Sequence, residues 1–454
     1  MISSMGIDAV PDLVNIFRLQ PGMRVAVVGS GGKTSTLVQL ARQLQRGVIL
    51  TTTTHIGASQ FLPDMAHYRI PTGEEFAFPW AAMKGQVSLV TGEQIDEFRS
   101  RGPAESVLAG LGNVVKENGW TMIIEGDGSR GIPLKAPAVH EPVIPLWVDM
   151  VIVSAGCSGL GKPLNAETVH RMDEYQRLAG IGMGEIITPQ AAAKVLTHAQ
   201  GGLKDIPPSA EKVLLLNQAD DAETQSLAQQ VAVLALAVYD RVIIASMHRE
   251  RKPLVYARYE NVAGVLLAAG ASTRLGTPKQ LLEKDGIPLV RRTAITGLQA
   301  GLNPLVVVSG SDAAAVEAAL EGLPVQVVYN PEWQSGQGSS VAAGVKALPE
   351  NAGGAIFLLS DQPYLSEPLI GRLLQEVRIT CEPVIAPLAS GRRANPVYFD
   401  RITFSELAQL AGEEGGRKLF AKYAPSYFEW YDERILMDLD SPQDVLHWQE
   451  TADE

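Results

Sequence analysis

Short apolar runs recur along the chain, and most are followed by a segment of helical length. Strands of a parallel sheet covered on both faces have this continuous apolar character, and helices carry the crossovers between them. In the first half the pattern predicts strands at RVAVVG (24–29), GVILTTTT (47–54), TMIIEGD (121–127), MVIVSAG (150–156), KVLLLNQ (212–218) and RVIIASM (241–247). In the second half it predicts strands at GVLLAAG (264–270), PLVVVSG (304–310), VQVVYN (325–330), AIFLLSD (355–361) and PVIAPL (383–388).

A charged segment separates these two series of strands. HRERKPLVYARYENVAG (248–264) carries several charges and a proline where one series ends and the next begins. At 454 residues the chain is also too long for one ordinary hydrophobic core. We therefore place a boundary near residue 258 and predict two α/β domains, at 1–257 and 258–454.

Composition and charge narrow the class of protein. Hydrophobic residues make up 46% of the chain and charged residues 19%, as in a globular protein with a sizeable core. The formal net charge of −12 argues against binding to nucleic acid or an anionic membrane, because phosphate contacts need a basic surface. Cys157 and Cys381 are far apart and support neither a disulfide framework nor a zinc site. With no long apolar run and no signal-peptide pattern, we expect a soluble cytoplasmic protein.

A glycine-rich loop with a lysine, VAVVGSGGKTST, follows the first predicted strand. Backbone N–H groups of such a loop can surround phosphate oxygens, the lysine can neutralise the outer phosphates, and the threonine can hold Mg²⁺. The candidate nucleotide-binding residues are Gly29, Gly31, Gly32, Lys33 and Thr34. The loop departs from the full Walker pattern, which has a glycine where this chain has Val27. The alternative is a glycine turn with a solvated lysine.

Two later strand ends add polar groups to this candidate site. TMIIEGD ends in Glu125 and Asp127, where a nucleotide-bound Mg²⁺ is usually held directly or through water. Together with the loop, these acids predict binding of a nucleoside triphosphate, and hydrolysis is compatible with the same motifs. Asn217 and Asp220 have the spacing of the NKxD motif that reads guanine in GTPases, although Gln218 replaces its lysine. A plain strand-to-loop turn is the alternative there.

The first half also contains the segments VVGSGGKTS, TTTTHI, EGDGSRGIPLKAPAVHEPVIP, GKPLNAETVHR and LNQAD. Together they resemble the YqeC-type accessory family linked to selenium-dependent molybdenum hydroxylases. The glycine loop makes ATP or GTP the expected ligand of this domain. The resemblance adds an apo molybdenum hydroxylase as a candidate partner, but it implies no particular reaction.

The second glycine loop, LLAAGASTRLGTPKQ, places its basic residues differently. Arg274 and Lys279 follow Gly270 by four and nine positions, whereas the lysine of a P-loop directly follows the last glycine. Small residues let a nucleotide lie against the backbone, and the two cations can then reach over its triphosphate. This layout suits attack at the α-phosphorus, where charge on the departing pyrophosphate has to be stabilised. A solvated basic loop is the alternative.

This loop resembles the signature of MobA-like nucleotidyltransferases, which are Rossmann-like three-layer α/β/α domains. The nucleotide-binding residues that the resemblance implies are Leu267, Ala268, Ala269, Gly270, Ser272 and Gly276, with Arg274 and Lys279 as catalytic residues. The resemblance also implies that Asp361, in AIFLLSDQP, holds the catalytic Mg²⁺. In MDLDSPQDV, Asp438 and Asp440 stand where the family frequently has asparagine. Asp440 is a candidate second metal ligand; alternatively, Asp440 and Ser441 only cap the final helix.

Four segments of the second half narrow the resemblance within that superfamily: LAAG, TPKQLL, DQP and GRRANPVYF. Through them the chain resembles the MocA-type branch, which transfers CMP from CTP to molybdopterin. NPEWQSGQGSSVAAGV corresponds to the Gly/Ser loop of the branch, which makes Gly336, Ser339 and Ser340 candidates to contact the base or the pterin. The expected activity is therefore transfer of CMP from Mg·CTP to molybdopterin, with release of pyrophosphate.

The sequence as a whole predicts an N-terminal P-loop-like nucleotide-binding domain joined to a C-terminal Rossmann-like nucleotidyltransferase domain. Two alternative functions stay open. One is a pyrophosphorylase that acts on a sugar phosphate or another alcohol phosphate. The other is a non-enzymatic carrier that binds finished cofactor and delivers it to an apo-hydroxylase.

Overall fold

A computed structural model of the chain describes residues 12–44, 47–57, 65–70, 80–97, 99–248, 252–271 and 275–451, apart from the side chain of Ala82. These residues form two compact units that divide between Tyr259 and Glu260. Each unit is built on its own sheet and has its own hydrophobic core.

The first unit contains every strand that the apolar runs of the first half predict, together with shorter strands between them. Its strands are β1 Arg24–Gly29, β2 Val48–Thr52, β3 His55–Gly57, β4 Ala66–Arg69, β5 Val87–Thr91, β6 Gln94–Asp96, β7 Arg99–Arg101, β8 Thr121–Glu125, β9 Leu134–Lys135, β10 Met150–Gly156, β11 Val169–His170, β12 Glu211–Asn217, β13 Arg241–Ser246 and β14 Leu254–Glu260. Its α-helices are α1 Leu13–Ile16, α2 Lys33–Gln43, α3 Trp80–Met83, α4 Glu105–Asn118, α5 Met172–Ala179, α6 Pro189–Leu196 and α7 Ala222–Ala235.

Among the described residues, nine strands form the main sheet of this unit in the order β14-β13-β12-β10-β1-β8-β2-β5-β4. Every neighbouring pair from β13 to β4 is parallel. Because parallel strands end at the same edge of a sheet, this order brings three predicted groups to one edge. They are the glycine loop after β1, Glu125 at the end of β8 and Asn217 at the end of β12.

The charged segment between the two strand series differs from its interpretation as a connection. Leu254–Glu260 forms β14, which extends the main sheet of the first unit beyond β13. Arg258 and Glu260 are buried there, with only 2% and 7% of their surface exposed. The charges that suggested a linker therefore belong to a strand, and their burial could not be deduced from polarity alone.

The second unit likewise contains the strands predicted for the second half of the chain. Its strands are β15 Val262–Ala268, β16 Glu283–Lys284, β17 Ile287–Pro288, β18 Leu305–Ser309, β19 Gln326–Tyr329, β20 Gly354–Leu359, β21 Val384–Ala389, β22 Arg392–Arg393, β23 Val397–Asp400 and β24 Ser426–Glu429. Its α-helices are α8 Leu289–Gln299, α9 Ala313–Ala319, α10 Gln337–Lys346, α11 Glu367–Thr380, α12 Phe404–Leu407 and α13 Pro442–Glu450.

The main sheet of the second unit is mixed, with the strand order β19-β18-β15-β20-β23-β21-β22 and with β24 paired to β21. β19, β18, β15 and β20 are parallel, whereas β23 is antiparallel to both β20 and β21. Alternate residues of β15 face opposite sides of the sheet. Leu266 lies in one core cluster with Val290 of α8, and Val265 lies in another with Val341 of α10. Helices therefore cover both faces of this sheet.

Within the described ranges, we find no helix with the length and apolar character needed to cross a membrane.

The glycine loop of the first unit packs closely on β10, and Gly31→Ala should therefore destabilise this unit more than Gly85→Ala. Both glycines have positive φ, +70° and +80°, so alanine is strained at either position. A Cβ on Gly31 would also lie 2.1 Å from the backbone nitrogen of Gly156, whereas one on Gly85 would meet nothing within 4 Å. We expect a loss of about 1 kcal/mol for Gly85→Ala and at least about 2 kcal/mol more for Gly31→Ala.

Urea unfolding of the two variants, followed through the transition of the first unit, measures this difference. Equal shifts in the midpoint would contradict the close packing of the loop on β10.

Candidate functional site

A cleft of about 520 Å³ opens where β15 and β20 end. This volume is typical of pockets that bind small molecules of nucleotide size. Several of the predicted site residues line it: Leu267, Ala269, Gly270, Gly336, Ser340, Lys279 and Asp361. The structure thus brings together three segments of the second unit that are far apart in sequence.

The backbone of the glycine loop forms one wall of this cleft. Ala268 and Ala269 are buried, whereas Gly270 is exposed and the space beside its α-carbon is open. The Gly270 carbonyl accepts hydrogen bonds from the Gln280 side-chain amide at 3.1 Å and the Ser311 hydroxyl at 3.2 Å. These bonds hold the loop in place. Because Gly270 has no side chain and is exposed, a ligand can contact the loop backbone there.

The next part of the loop is only partly described. The predictions for Ser272 and Arg274 concern residues outside the described part of the chain. Gly276 is exposed and has a φ of +72°, in the left-handed region. Lys279 then begins a short 3-10 helix, Lys279–Leu281, which carries its side chain to the cleft.

Lys279 and Asp361 line the cleft, and Asp440 contacts Lys279. Lys279 Nζ lies 3.8 Å from Asp361 Oδ2 and forms a closer ion pair with Asp440 Oδ1. Asp361 follows β20, and Asp440 lies just before α13. The ion pairs therefore join the glycine loop, the end of β20 and the start of the final helix.

Two further hydrogen bonds hold the segment before α13 against the end of β20. The Leu439 N–H donates to the Asp361 carbonyl at 3.0 Å, and the Gln362 amide donates to Asp438 Oδ1 at 2.9 Å. Burial raises the pKa of the Asp361 carboxyl above its ordinary value. The charge of Asp438 raises this pKa further, while Lys279 opposes the shift.

Ser441 and Asp440 have different roles at the start of α13. The Ser441 hydroxyl accepts from the Asp444 N–H, and the Asp444 carboxylate accepts from the Ser441 N–H at 2.7 Å, which together form a capping box. The Asp440 carboxylate instead contacts Lys279. The capping alternative therefore applies to Ser441 and not to the side chain of Asp440.

Lys279 and its two aspartates have the chemistry of a site for a phosphate-bound metal. Across the described ranges, no group of three or more His, Cys, Asp or Glu side chains is placed to hold a metal ion. Mg²⁺ in nucleotide sites needs fewer, because one or two carboxylates suffice where phosphates and water supply the other oxygens. The Lys279 ammonium pairs with both Asp361 and Asp440, so the two carboxylates lie close enough to share one cation.

The predicted residues of the Gly/Ser segment have different surroundings. Gly336 precedes α10 and lines the cleft. The hydroxyls of Ser339 and Ser340 accept hydrogen bonds from the buried Asn330 amide, at 2.9 and 3.0 Å, and Ser339 also donates to the Glu332 carbonyl. The two serines thus anchor the start of α10 to the loop after β19.

In the first unit, Lys33 is buried at the start of α2, directly after the N-cap Gly32. Its ammonium donates to the Gly29 carbonyl at 2.7 Å and lies 3.3 Å from Asp127 and 3.9 Å from Glu125. The predicted lysine and both predicted acids therefore share one site. The half-buried Thr34 follows Lys33 in the first turn of α2.

A chain of ion pairs extends this site beyond the predicted residues. Asp127 accepts a hydrogen bond from the Gly29 N–H at 3.0 Å and pairs with Lys135 at 2.7 Å. Lys135 pairs with Glu141 at 2.8 Å, and Glu141 pairs with Arg171 at 2.9 Å. Lys135, Glu141 and Arg171 all lie in segments that carry the YqeC resemblance, which is the signal that could have identified them.

Two acids in this network have strongly shifted pKa values in opposite directions. Burial raises the pKa of Glu125 to about 7, although the nearby Lys33 opposes this shift. Burial also acts to raise the pKa of Glu141, but hydrogen bonds from Lys135 and Arg171 outweigh it and hold the value at about 2. One carboxyl thus titrates near neutral pH, while the other stays ionised.

The two candidates for base recognition differ in their environment. Asn217 is 1% exposed, donates to the Gly31 carbonyl at 2.7 Å and accepts from the Met247 N–H at 2.8 Å. Both ends of its amide are thus engaged with the backbone, which favours the structural alternative at this position. Asp220 is half-exposed and lies 3.2 Å from His248 Nε2.

Several residues that line the cleft of the second unit were not predicted. They are Gln280, Trp333, Gln334, Gln337, Leu359, Ser360 and Glu413. Most lie close in sequence to the predicted residues of the same motifs, and this proximity could have identified them as candidates. Glu413 belongs to a loop with no such motif, and only the fold brings it to the cleft.

The second unit has the features of a nucleotidyltransferase-like domain. They are the parallel strands, the exposed glycine backbone at their ends, and Lys279 paired with two aspartates. Residues 264–426 match the family model of the MobA-like NTP transferase domain, and residues 25–173 match that of the YqeC protein. The chain therefore belongs to the YqeC family in its first unit and to the MobA-like NTP transferases in its second.

Individual relatives each match part of the chain. The protein YqeC of Escherichia coli (strain K12) is 31% identical over 254 residues, which cover 52% of this chain and 91% of that protein. Nicotine blue oxidoreductase of Paenarthrobacter nicotinovorans is 37% identical over 170 residues, covering 36% and 83%. Among solved structures, the manganese complex of Rv0371c from Mycobacterium tuberculosis H37Rv shows 27% identity and a TM-score of 0.37, covering 42% and 100%.

Glu125→Gln should change how the stability of the first unit depends on pH. The folded chain binds the Glu125 proton more tightly than the unfolded chain does, because burial raises the pKa of this carboxyl. The protonated group therefore stabilises the fold fully below pH 4.5, and this stabilisation is lost as the pH rises through about 7. We expect the free energy of unfolding of the wild type, relative to Glu125→Gln, to fall by up to about 3 kcal/mol between about pH 4.5 and pH 8.

Urea titrations at several pH values measure this difference. Glu117→Gln, at an exposed position of α4, is the matched control and should change stability by less than about 0.5 kcal/mol throughout. A difference between wild type and Glu125→Gln that does not vary with pH would contradict the prediction.

Lys279→Gln should tighten the binding of Mn²⁺ to the protein without nucleotide. The Lys279 ammonium lies between Asp361 and Asp440, and its removal leaves both carboxylates available to a divalent cation. We expect the Kd for Mn²⁺ alone to fall about tenfold, which corresponds to about 1.4 kcal/mol. Electron paramagnetic resonance of free Mn²⁺ measures it. Lys346→Gln, exposed at the end of α10, is the control, and unchanged or weaker Mn²⁺ binding by Lys279→Gln would disprove the prediction.

Proposed function

We propose that the second unit transfers CMP from Mg·CTP to molybdopterin, forming molybdopterin cytosine dinucleotide and releasing pyrophosphate. The observation that carries this proposal is that Lys279, which lines the cleft with Asp361 and the exposed Gly270 backbone, pairs with both Asp361 and Asp440. A lysine and two carboxylates that can hold a metal suit the binding of a triphosphate and the departure of pyrophosphate. The continuous match of LAAGASTRLGTPK to the MobA-like signature supports the same reaction class.

The proposed mechanism uses charge and position alone. Asp361 and Asp440 would hold Mg²⁺, which neutralises phosphate charge when bound. Lys279 exchanges its aspartate partners for the phosphates, and Arg274 adds a second cation from the same loop. The exposed backbone at Gly270 supports the nucleotide so that its α-phosphorus faces the acceptor.

The chemical step then needs no general base. A terminal phosphate monoester is largely ionised at neutral pH, so its oxygen attacks the α-phosphorus in line. The bond from the α-phosphorus to the bridging oxygen of pyrophosphate breaks, and that oxygen leaves with the pyrophosphate. Catalysis therefore consists of holding two anions in line and neutralising the charge that repels them.

The choice of CTP and molybdopterin rests on the sequence. LAAG, DQP and GRRANPVYF are the segments that resemble the cytidylyl-transferring branch. In the cleft, Gly336 is the member of the Gly/Ser segment best placed to contact the base, because the Ser339 and Ser340 hydroxyls are bonded to Asn330.

We also propose that the first unit binds ATP or GTP through its glycine loop, with Lys33 and Thr34 at the phosphates. The support is the position of Lys33 as the first residue of α2, within 4 Å of two carboxylates that can approach a nucleotide-bound metal. Binding there would serve the handover of finished cofactor to an apo molybdenum hydroxylase. This role joins the two family resemblances in one chain.

Asp361→Asn is the variant that tests the transferase directly. With purified protein, molybdopterin, Mg²⁺ and each nucleoside triphosphate in turn, the wild type should release pyrophosphate and form dinucleotide with CTP. Asp361→Asn should lower kcat by roughly 10²–10³-fold, because charge stabilisation at the departing pyrophosphate is lost. Asp285→Asn, at an exposed turn between β16 and β17, is the matched control and should keep wild-type activity.

Other outcomes of this experiment identify the alternative functions. If CTP yields no dinucleotide while a sugar or alcohol phosphate supports pyrophosphate release, the protein is a different pyrophosphorylase. If Asp361→Asn still delivers finished cofactor to an apo-hydroxylase as well as the wild type does, and neither protein forms dinucleotide, the second unit is a carrier.

A further inference from the structure

One carboxylate in the cleft stands apart from those at Lys279. Glu413 lies in the loop between α12 and the 3-10 helix Gly416–Ala421, and it lines the cleft from an exposed position. Within the described parts of the chain, its side chain forms no hydrogen bond or ion pair. A free carboxylate is unfavourable beside a triphosphate, because like charges repel. Asp361 and Asp440 differ because they pair with Lys279, so the phosphates are better accommodated beside these aspartates than beside Glu413.

The backbone fixes Glu413 at this position. The Gly338 N–H donates to the Gly412 carbonyl at 2.9 Å, which ties the loop to the first turn of α10. Gly336 has a φ of +115°, and a Cβ there would lie 2.4 Å from the Gly412 carbonyl and 2.6 Å from the Glu413 nitrogen. The absence of a side chain at this glycine therefore lets the loop pack against the start of α10.

Two sets of lining residues, on different segments of the chain, offer different chemistry. Lys279 and Asp361 at the end of β20 suit phosphates and their metal. Trp333 and Glu413, near the start of α10, provide an aromatic surface and a hydrogen-bond acceptor. A nucleotide with its phosphates at Lys279 can extend its base toward Trp333 and the Glu413 carboxylate, which line the same cleft.

We propose that Glu413 reads the exocyclic amino group of cytosine and thereby selects CTP over UTP. The inference rests on the proposed function, in which CTP is the donor. The cytosine amino group donates hydrogen bonds, and a carboxylate is a matching acceptor. Uracil has a carbonyl oxygen at the same position. The carboxylate and this oxygen are both acceptors, so they cannot form a hydrogen bond and repel each other. Glu413 therefore both favours cytosine and rejects uracil.

Glu413→Gln tests this assignment because a glutamine amide can accept from cytosine or donate to uracil. Binding of CTP and of UTP, each with Mg²⁺, is measured by calorimetry and requires no acceptor. The wild type should prefer CTP, and the ratio of the two Kd values should fall at least tenfold in Glu413→Gln, mainly through tighter UTP binding. Glu413→Ala should lose the preference through weaker CTP binding. Glu414→Gln, an exposed neighbour outside the cleft lining, should keep the wild-type ratio.

A Glu413→Gln ratio within twofold of the wild-type value would overturn the inference, as would a wild type with no preference between CTP and UTP. Unchanged circular dichroism and Tm establish that the variants are folded. The proposed function fails separately: a wild type that prefers CTP but forms no dinucleotide with molybdopterin contradicts the transferase and leaves the base recognition intact. Dinucleotide synthesis with an unchanged ratio in Glu413→Gln contradicts the base recognition alone.

Discussion

In each unit, a lysine ammonium is held against carboxylates at the carboxyl edge of parallel strands. Lys33 lies beside Asp127, and Lys279 lies beside Asp361 and Asp440. An ammonium removed from water without an anionic partner is costly, so the glycine loops and strand ends have to keep these groups together. Phosphates can replace the carboxylates as partners. The same ion pairs therefore stabilise both loops and mark where phosphate charge can be accommodated.

The two lysines differ in the freedom that the backbone gives them. Lys33 begins the regular helix α2 immediately after its glycine N-cap and is 3% exposed. Lys279 lies in a short 3-10 helix nine residues after Gly270, and 15% of its side chain is exposed. Lys33 can therefore meet phosphates held at the N-terminus of its helix, whereas Lys279 reaches the cleft from a separate segment and can contact a departing group. The first geometry suits nucleotide binding, and the second suits transfer.

Much of the fold could be predicted because buried parallel strands are continuous apolar runs, and each predicted run contains an observed strand. β14 was missed because Arg258 and Glu260 suggested a linker, although both are buried. At the sites, local motifs predicted the lysines and their acidic partners. Lys135, Glu141 and Arg171 could not be predicted in the same way, because they meet through tertiary contacts that no local spacing records.

The aspartates at positions 438 and 440 add negative charge beside Lys279 and Asp361. Asp438 raises the pKa of Asp361 and is held by Gln362, while Asp440 pairs with Lys279. Among the described residues, Lys279 is the cation that pairs with Asp361 and Asp440, and Asp438 adds a third carboxylate beside them. A bare triphosphate approaching them is repelled, whereas a triphosphate that arrives with its divalent cation is attracted. The additional carboxylates thus favour entry of the metal–nucleotide complex as one unit.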